Sequence, residues 1–164
     1  MHYEVRMAEP ELIPVVHAIM LAAFEEYRSA DVPSSALNET AEGIREKIMA
    51  GKERAILCYG DGVPLGSGRF HVDAEAVYFS RLAVVPHARG RGIARSMVAW
   101  LETFADVRGK SRLWCRVRMS IPANIQLYKT LGFVEETEET VVNPNGFPVR
   151  TVVMSKSVAH TTSS

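Results

Sequence analysis

The sequence predicts a single α/β (α+β) domain with a mixed, mostly antiparallel sheet flanked by helices. Three observations predict it. The hydrophobic period switches from helical to alternating near Arg54, and back near Gly92. Between those points, three strand-like runs follow one another with only short turn signals between them. No internal repeat and no Gly/Ser/Pro-rich linker divides the 164 residues, a length that suits one core.

Each element has its own signal. "HYEVRM" alternates and reads as a first strand. From about Glu11 to Arg28, Leu12, Val15, Val16, Ile19, Met20, Ala23 and Phe24 fall at helical spacing, and Pro14 puts the start of the regular helix near itself. "SADVPSSALN" is a polar connection. Thr40 is placed to cap a second helix that runs through Ala50 and ends at Gly51. "RAILCYG" is a strand, and Asp61-Gly62 is a hairpin turn. "VPLGSGRFHV" follows as a strand in which Gly66 and Gly68 mark a bulge or a close backbone approach. "DAE" turns the chain into "AVYFSRLAVV". A helix is expected from Gly92 to Asp106, with Ile93, Met97, Leu101 and Phe104 as its apolar stripe. "RLWCRV" is a strand. Ser120 is expected to cap a short helix with Pro122 in its first turn, running to Leu131. "GFVEETEETVV" and "FPVRTVVMSK" close the fold as a strand pair around "NPNG". The order β-α-α-β-β-β-α-β-α-β-β is not a regular βαβ repeat. The domain is expected to occupy residues 1–156, with 157–164 a disordered C-terminal tail.

Composition narrows the function classes. Apolar residues are 47% and charged residues 23%, as in ordinary soluble globular proteins. Lys plus Arg and Asp plus Glu both number 19, so the basic excess of a duplex nucleic-acid binder is missing and no nucleic-acid partner is expected. The apolar runs are too short to span a bilayer, so no membrane partner is expected. "MHYEVRMAEPEL" lacks a basic-then-apolar signal pattern. Cys58 and Cys115 sit in separate apolar runs and read as buried hydrophobes rather than a disulfide or a metal site. A reducing, cytoplasmic setting and no metal are the resulting expectations.

The chemistry concentrates at Arg89, Gly90, Arg91 and Gly92, between a strand and a helix. The first turn of a helix has amide hydrogens without intrahelical partners and carries about half a positive charge. Glycines let a ligand lie against the backbone, and arginines add charge and hydrogen-bond forks. Phosphate is the natural guest, against the plainer alternative of a solvated basic turn. A Walker A loop is absent. A dinucleotide fingerprint fails because Arg95 stands where the third glycine belongs.

The run Arg89-Gly90-Arg91-Gly92-Ile93-Ala94 resembles the Arg/Gln-x-x-Gly-x-Gly/Ala signature of the GNAT superfamily of acyl-CoA-dependent N-acetyltransferases. It follows the strand "RLAVV" and a proline, as the family's does, and opens the central helix. "NIQLYKTLGF", Asn124 to Phe133, resembles the family's later Leu-Tyr-x-x-Leu-Gly-Phe motif, and the element order matches across roughly residues 3 to 156. The resemblance implies that acetyl-CoA is the cofactor, with the amides of Arg89 through Ala94 around its pyrophosphate. Main-chain groups of Leu82, Ala83 and Val84 would pair with the pantetheine arm, and "RLWCRV" would splay away to make room. Arg89 and Arg91 are candidates for the 3′-phosphate or plain surface charge. Tyr128 is implied as general acid for the leaving thiolate, against a packed core tyrosine.

Two positions depart from the family pattern. Ile121 stands where many relatives have asparagine seven residues before the tyrosine, leaving Asn124 as a cofactor contact or merely a helix-start residue. The strand before the signature has Tyr78 where many members have a glutamate base, and "AVYFSRLAV" contains no carboxylate. Glu75 is a candidate base and His71 an alternative, and both also read as solvent-facing. The implied reaction is direct attack of an amine on the thioester, with an oxyanion donor near Ala83 or Val84 and no covalent intermediate through Cys115.

For the acceptor, Glu25, Glu26, Tyr27 and the acidic run Glu135 to Glu139 are candidate cation-attracting groups or solvated surface, and Asn143 to Gly146 a lip or a turn. A small-molecule amine, an amino acid, an antibiotic and a protein amine all stay open, and the family analogy implies a homodimer. Two rival readings remain. One is a non-catalytic acyl-CoA-binding or sensing domain of this fold. The other is a nucleotide- or phosphate-binding module of another fold, which the antiparallel meander disfavours.

Overall fold

The computed structural model describes residues 2–27 and 35–158. Its elements are β1 (Tyr3–Met7), α1 (Ile13–Phe24), α2 (Ala41–Met49), β2 (Arg54–Gly60), β3 (Val63–Val72), β4 (Ala76–Val84), α3 (Ile93–Val107), β5 (Arg112–Arg118), α4 (Pro122–Thr130), β6 (Val134–Val142) and β7 (Pro148–Ser157). That order is the one the sequence predicts. The seven strands form one sheet in the order β1-β2-β3-β4-β5-β7-β6. β4 pairs with β5 in parallel, and β5–β7 and β6–β7 are antiparallel.

The chain divides into two compact units, Met1–His71 with Phe79–Trp100, and Val72–Tyr78 with Leu101–Ser164. In the first, β1 pairs antiparallel with β2 and β2 with β3. The turn between β2 and β3 has Asp61 at φ 50° and Gly62 at φ 81°, the double left-handed turn that matches strand twist. Val16, Ile19 and Ala23 of α1 pack on Ala55, Leu57 and Ala83 of the sheet. Ile13 and Met20 on another side of α1 pack with Ala36 and Ile44 of the α2 layer. Each fully buried Val, Ile, Leu or Met side chain among these is worth about 1.5–3 kcal/mol.

Thr40 caps α2 by accepting from the Gly43 N–H at 3.0 Å, and Gly51 ends it at φ 74°. Gly66 and Gly68 mark close approach. A Cβ at Gly66 would stand 2.7 Å from Ile93 Cγ2, and one at Gly68 2.9 Å from Leu82 Cδ1. The β2–β3 register shift lies on the partner strand, between Cys58 and Tyr59.

In the second unit, Leu113, Cys115 and Val117 of β5 and Val152 and Met154 of β7 are buried. Asn143 holds the β6–β7 turn by accepting from the Asn145 and Phe147 N–H groups, both at 3.0 Å.

Several boundaries differ from expectation. Regular α1 stops at Phe24 rather than Arg28, and Glu25–Tyr27 continue as a 3-10 turn. Glu25 and Glu26 put negative charge at a helix C-terminus, against its dipole. The connection over Ser29–Ser34 lies outside the described residues, and Ser35–Asn38 forms a further 3-10 turn. Along α3 the buried stripe runs Ile93, Met97, Leu101, Ala105, not Phe104, whose ring lies under the Arg108 guanidinium. Residue Ile121, not Ser120, is the N-cap of α4, and it makes no side-chain cap. Pro122 has no N–H to be capped, and the Asn124 N–H bonds to the Ile121 carbonyl at 3.1 Å. Ser157 belongs to β7, and Val158 is buried with its N–H on the Ser111 carbonyl at 2.9 Å; residues 159–164 lie outside the described range.

Candidate active site

The turn before α3 is built by backbone. Pro86–Ala88 make one 3-10 turn with Ala88 fully buried, and Arg89 then leaves in extended conformation. Gly90 and Gly92 take φ 77° and 87°. A Cβ on either would meet nothing within 4 Å, so the space beside this turn is open, as a phosphate guest requires. The Ser96 N–H makes an early α3 bond to the Gly92 carbonyl at 3.0 Å. The N–H groups of Ile93, Ala94 and Arg95 therefore come before the first helical donor, Ser96, and lie at the helix mouth without an intrahelical acceptor.

The two arginines of this turn differ. Arg89 turns back onto α1, donating to Glu26 and to the Ala23 carbonyl at 2.9 Å. It caps a helix C-terminus and fixes the turn. Arg91 is exposed at the turn itself.

The strand leading in is β4. The Val85 N–H bonds to the Leu65 carbonyl of β3 at 2.9 Å. By strand alternation Ala83 shares that side, and its side chain is 2% exposed in the α1 cluster. Leu82 and Val84 turn their main-chain groups to the opposite edge. The ladder with β5 covers three pairs only, Ala76↔Arg112, Val77↔Leu113 and Tyr78↔Trp114. Leu82 and Val84 lie beyond it. Arg81, just before them, sits at φ 55°.

In the second unit, Tyr128 lies on α4 and packs edge-on against Phe133, centroids 5.6 Å apart. Burial, reinforced by Cys115, holds its hydroxyl well above the usual tyrosine range, so it keeps its proton. Lys156 pins the end of that helix, reaching the Leu131 carbonyl at 3.1 Å and Glu102 at 3.0 Å. The left-handed Gly132 makes room for it, since a Cβ there would lie 3.2 Å from Lys156 Cε. Asn124 is half-buried in the first turn of α4. Burial pushes the Cys115 thiol up to about 12 and Cys58 to about 11, which makes both poor nucleophiles.

Glu75 is exposed in the turn before β4, and its carbonyl accepts from the Ser111 N–H at 2.9 Å. His71 is half-buried at the end of β3. Tyr78 packs against Trp114 with the rings tilted by 55° and centroids 4.6 Å apart, and Arg116 lies over both rings. The acidic run on β6 is neutralised residue by residue. Glu135 pairs with Lys129, Glu136 with Arg112, Glu138 with Arg150 and Glu139 with Arg116. Glu26 is likewise taken by Arg89. The partners come from other elements, Arg112 and Arg116 from β5, Arg150 from β7 and Lys129 from α4, so a reading along the acidic run sees only the acids.

The model of the Acetyltransferase (GNAT) family matches residues 16–133, more than half of the chain. The chain belongs to the GNAT family. A GNAT relative from Salmonella typhimurium, a [ribosomal protein bS18]-alanine N-acetyltransferase, is 41% identical over 63 residues, 38% of this chain and 42% of the relative. The chain thus spans about two fifths of the length of the curated relatives it matches. Among solved structures, the ribosomal-protein-S18-alanine N-acetyltransferase of Escherichia coli superposes with a TM-score of 0.73 at 19% identity, covering 99% of this chain and 97% of that one. The paia N-acetyltransferase of Thermoplasma acidophilum in complex with coenzyme A gives 0.75 at 12% identity, covering 96% and 99%. At such identities the superpositions establish the GNAT fold. No helix among the described residues is long and apolar enough to cross a membrane.

Proposed function

We propose that this GNAT chain is an N-acetyltransferase that transfers an acetyl group from acetyl-CoA to a primary amine. The observation that carries the reading is the turn Arg89–Ala94. It has two left-handed glycines beside open space and ends at helix-mouth amides that precede the first intrahelical bond, Ser96 N–H to the Gly92 carbonyl. Those amides would hold the pyrophosphate, and Arg91 would add charge. The outward main-chain groups of Leu82 and Val84 suit an extended amide-containing arm. When bound, the donor supplies an activated acyl thioester. Tyr128 keeps a proton through the working pH range and would give it to the departing thiolate sulfur. Asn124 stays a candidate cofactor contact.

Glu75 enters as the candidate base, with His71 as the alternative, acting directly or through water. The acceptor is an amine of open identity. An alanine of a ribosomal protein, the acceptor named for the bS18 relatives, is one arm to try, with polyamines and amino acids as others. A homodimer and a cytoplasmic setting belong to the same proposal, and light scattering at several concentrations tests the dimer.

The absence of a carboxylate from β4 favours a second reading, a non-catalytic acyl-CoA sensor of the same fold. One experiment separates the two. Thermal stabilisation is measured with acetyl-CoA, desulfo-CoA, ATP and NAD, followed by an amine panel scored for thiol release. Stabilisation confined to CoA species with turnover on an amine supports the enzyme. Stabilisation without turnover supports the sensor. No shift with any CoA species overturns both.

A further inference from the structure

Glu39 stands immediately before the cap of α2, and its side chain is 15% exposed. Its carboxylate is shared between two strands. One oxygen accepts from Arg81 Nε at 2.7 Å, and the other pairs with Arg69 Nη2. Arg69 is only 3% exposed; it meets a second carboxylate, Glu53, at 3.2 Å and directs Nη1 at Met20 Sδ. Arg81 also donates to Ser35 Oγ at 3.0 Å, and the Glu39 carbonyl meets His17 Nε2 at 2.8 Å. Two guanidinium groups and two carboxylates thus balance in a partly desolvated network, where charge-assisted bonds are strong.

Arg81 is the strained member. It sits at φ 55° inside β4, where a residue with a Cβ is rare and persists only when its surroundings over-determine it. The side chain supplies that determination by reaching Glu39 and Ser35. The kink falls three residues after the last β4–β5 pair and directly before Leu82. The direction of the Leu82 N–H follows from the backbone angles of Arg81, and Val84 follows by alternation.

We propose that Glu39 and Arg81 are positioning residues, in which Glu39 grips Arg81, Arg81 holds the kink in β4, and the kink presents the edge main-chain groups of Leu82 and Val84 to the thioester carbonyl of a bound acyl-CoA. This rests on the acyl-CoA reading above. Neither side chain touches the donor; both act through the backbone that they fix.

The test reads the carbonyl itself. Acetyl-CoA labelled with 13C at the thioester carbonyl is bound to the protein, and its stretching band is recorded by isotope-edited infrared difference spectroscopy. Thermal stabilisation by acyl-free CoA is measured in parallel. The parent protein is expected to shift the band to lower frequency. Glu39→Gln and Arg81→Gly are expected to lose roughly half or more of that shift while keeping the stabilisation by CoA. Arg81→Lys, which still gives Glu39 a cation, is expected to keep most of it. Parent-like bands in both Glu39→Gln and Arg81→Gly overturn the proposal. So does an unshifted band in a parent that acetyl-CoA stabilises. Loss of CoA stabilisation in both variants assigns the network a merely structural role and also overturns it. A parent that no CoA species stabilises overturns the acyl-CoA reading instead. If Glu39→Gln does not fold, Arg81→Gly carries the test, because glycine adopts φ 55° without strain.

Discussion

Arg89 donates to the Ala23 carbonyl at 2.9 Å and pairs with Glu26, so the arginine of the phosphate-type turn is tied to the end of α1. The link spans 66 residues of sequence and joins a helix terminus to the turn. Its energetic value is small, because both partners are more than two fifths exposed, and exposed pairs are worth about 0–1 kcal/mol. Its value lies in fixing where the Gly90–Gly92 amides point.

Arg89→Ala and Glu26→Gln should therefore behave alike. Each is expected to lower CoA affinity by a few-fold at most, with a salt dependence close to that of the parent. Arg91→Ala is expected to weaken CoA binding more at low salt than at high salt, since its charge acts on the ligand directly. Titration calorimetry at two ionic strengths checks this. A strong salt-dependent loss for Arg89→Ala alone would place its guanidinium on a phosphate instead.

The glycines divide by physical cause. Gly66→Ala puts a methyl 2.7 Å from Ile93 Cγ2 and 2.9 Å from Met97 Cε, so it overpacks the α3 contact and should destabilise by about 1–3 kcal/mol. Gly90→Ala and Gly92→Ala meet no neighbour but force an alanine to φ 77° or 87°, at roughly 1–2 kcal/mol each. Only the latter two should also weaken CoA binding. Urea melts with and without CoA separate the two effects.

Most of the fold was legible because its signals are local. Alternation from Arg54 to Val84, the Asp61-Gly62 turn and the Thr40 cap are each set by neighbours in sequence. What was not legible is held by distant partners. Nothing beside Arg81 announces a left-handed residue; the conformation is held by Glu39, 42 residues away. The run Glu135–Glu139 reads as an acidic patch until Arg112 and Arg116 of β5 and Arg150 of β7 are placed beside it. Ser120 has the right residue type for a cap, but the geometry puts Ile121 there. Of the candidate site, the signature turn and Tyr128 were visible as motifs, whereas Lys156, which pins the end of α4, lies 28 residues beyond Tyr128 and carries no motif.

Glu39 also predicts an acid limb of stability. Burial works to raise its pKa, but the pull of Arg81 and then Arg69 outweighs it, leaving the folded value below the ordinary 4.5. A depressed carboxylate contributes stability that is fully present above the unfolded value and is lost as pH falls through the folded one. The parent should therefore lose stability as pH drops below about 4.5, and Glu39→Gln should show a shallower loss over that window. Denaturation midpoints measured between neutral and acid pH test this, and parallel curves would remove Glu39 from the acid transition.

Tyr128 predicts a split between binding and turnover. The hydroxyl is held above the usual tyrosine range by burial and by Cys115, so deprotonation of Tyr128 should not appear as an alkaline limb at accessible pH. With no carboxylate in β4, the ascending limb of kcat/KM should instead track the pKa of the acceptor amine and move when a less basic amine is used. Tyr128→Phe removes the proton donor and keeps the ring that packs on Phe133. It should retain CoA binding and folding while thiol release falls by about 10²–10⁴-fold. Steady-state rates across pH for parent and variant, on two amines of different basicity, measure both effects at once. A variant with parental turnover would make Tyr128 a core residue, and an ascending limb that stays fixed between the two amines would require a protein base.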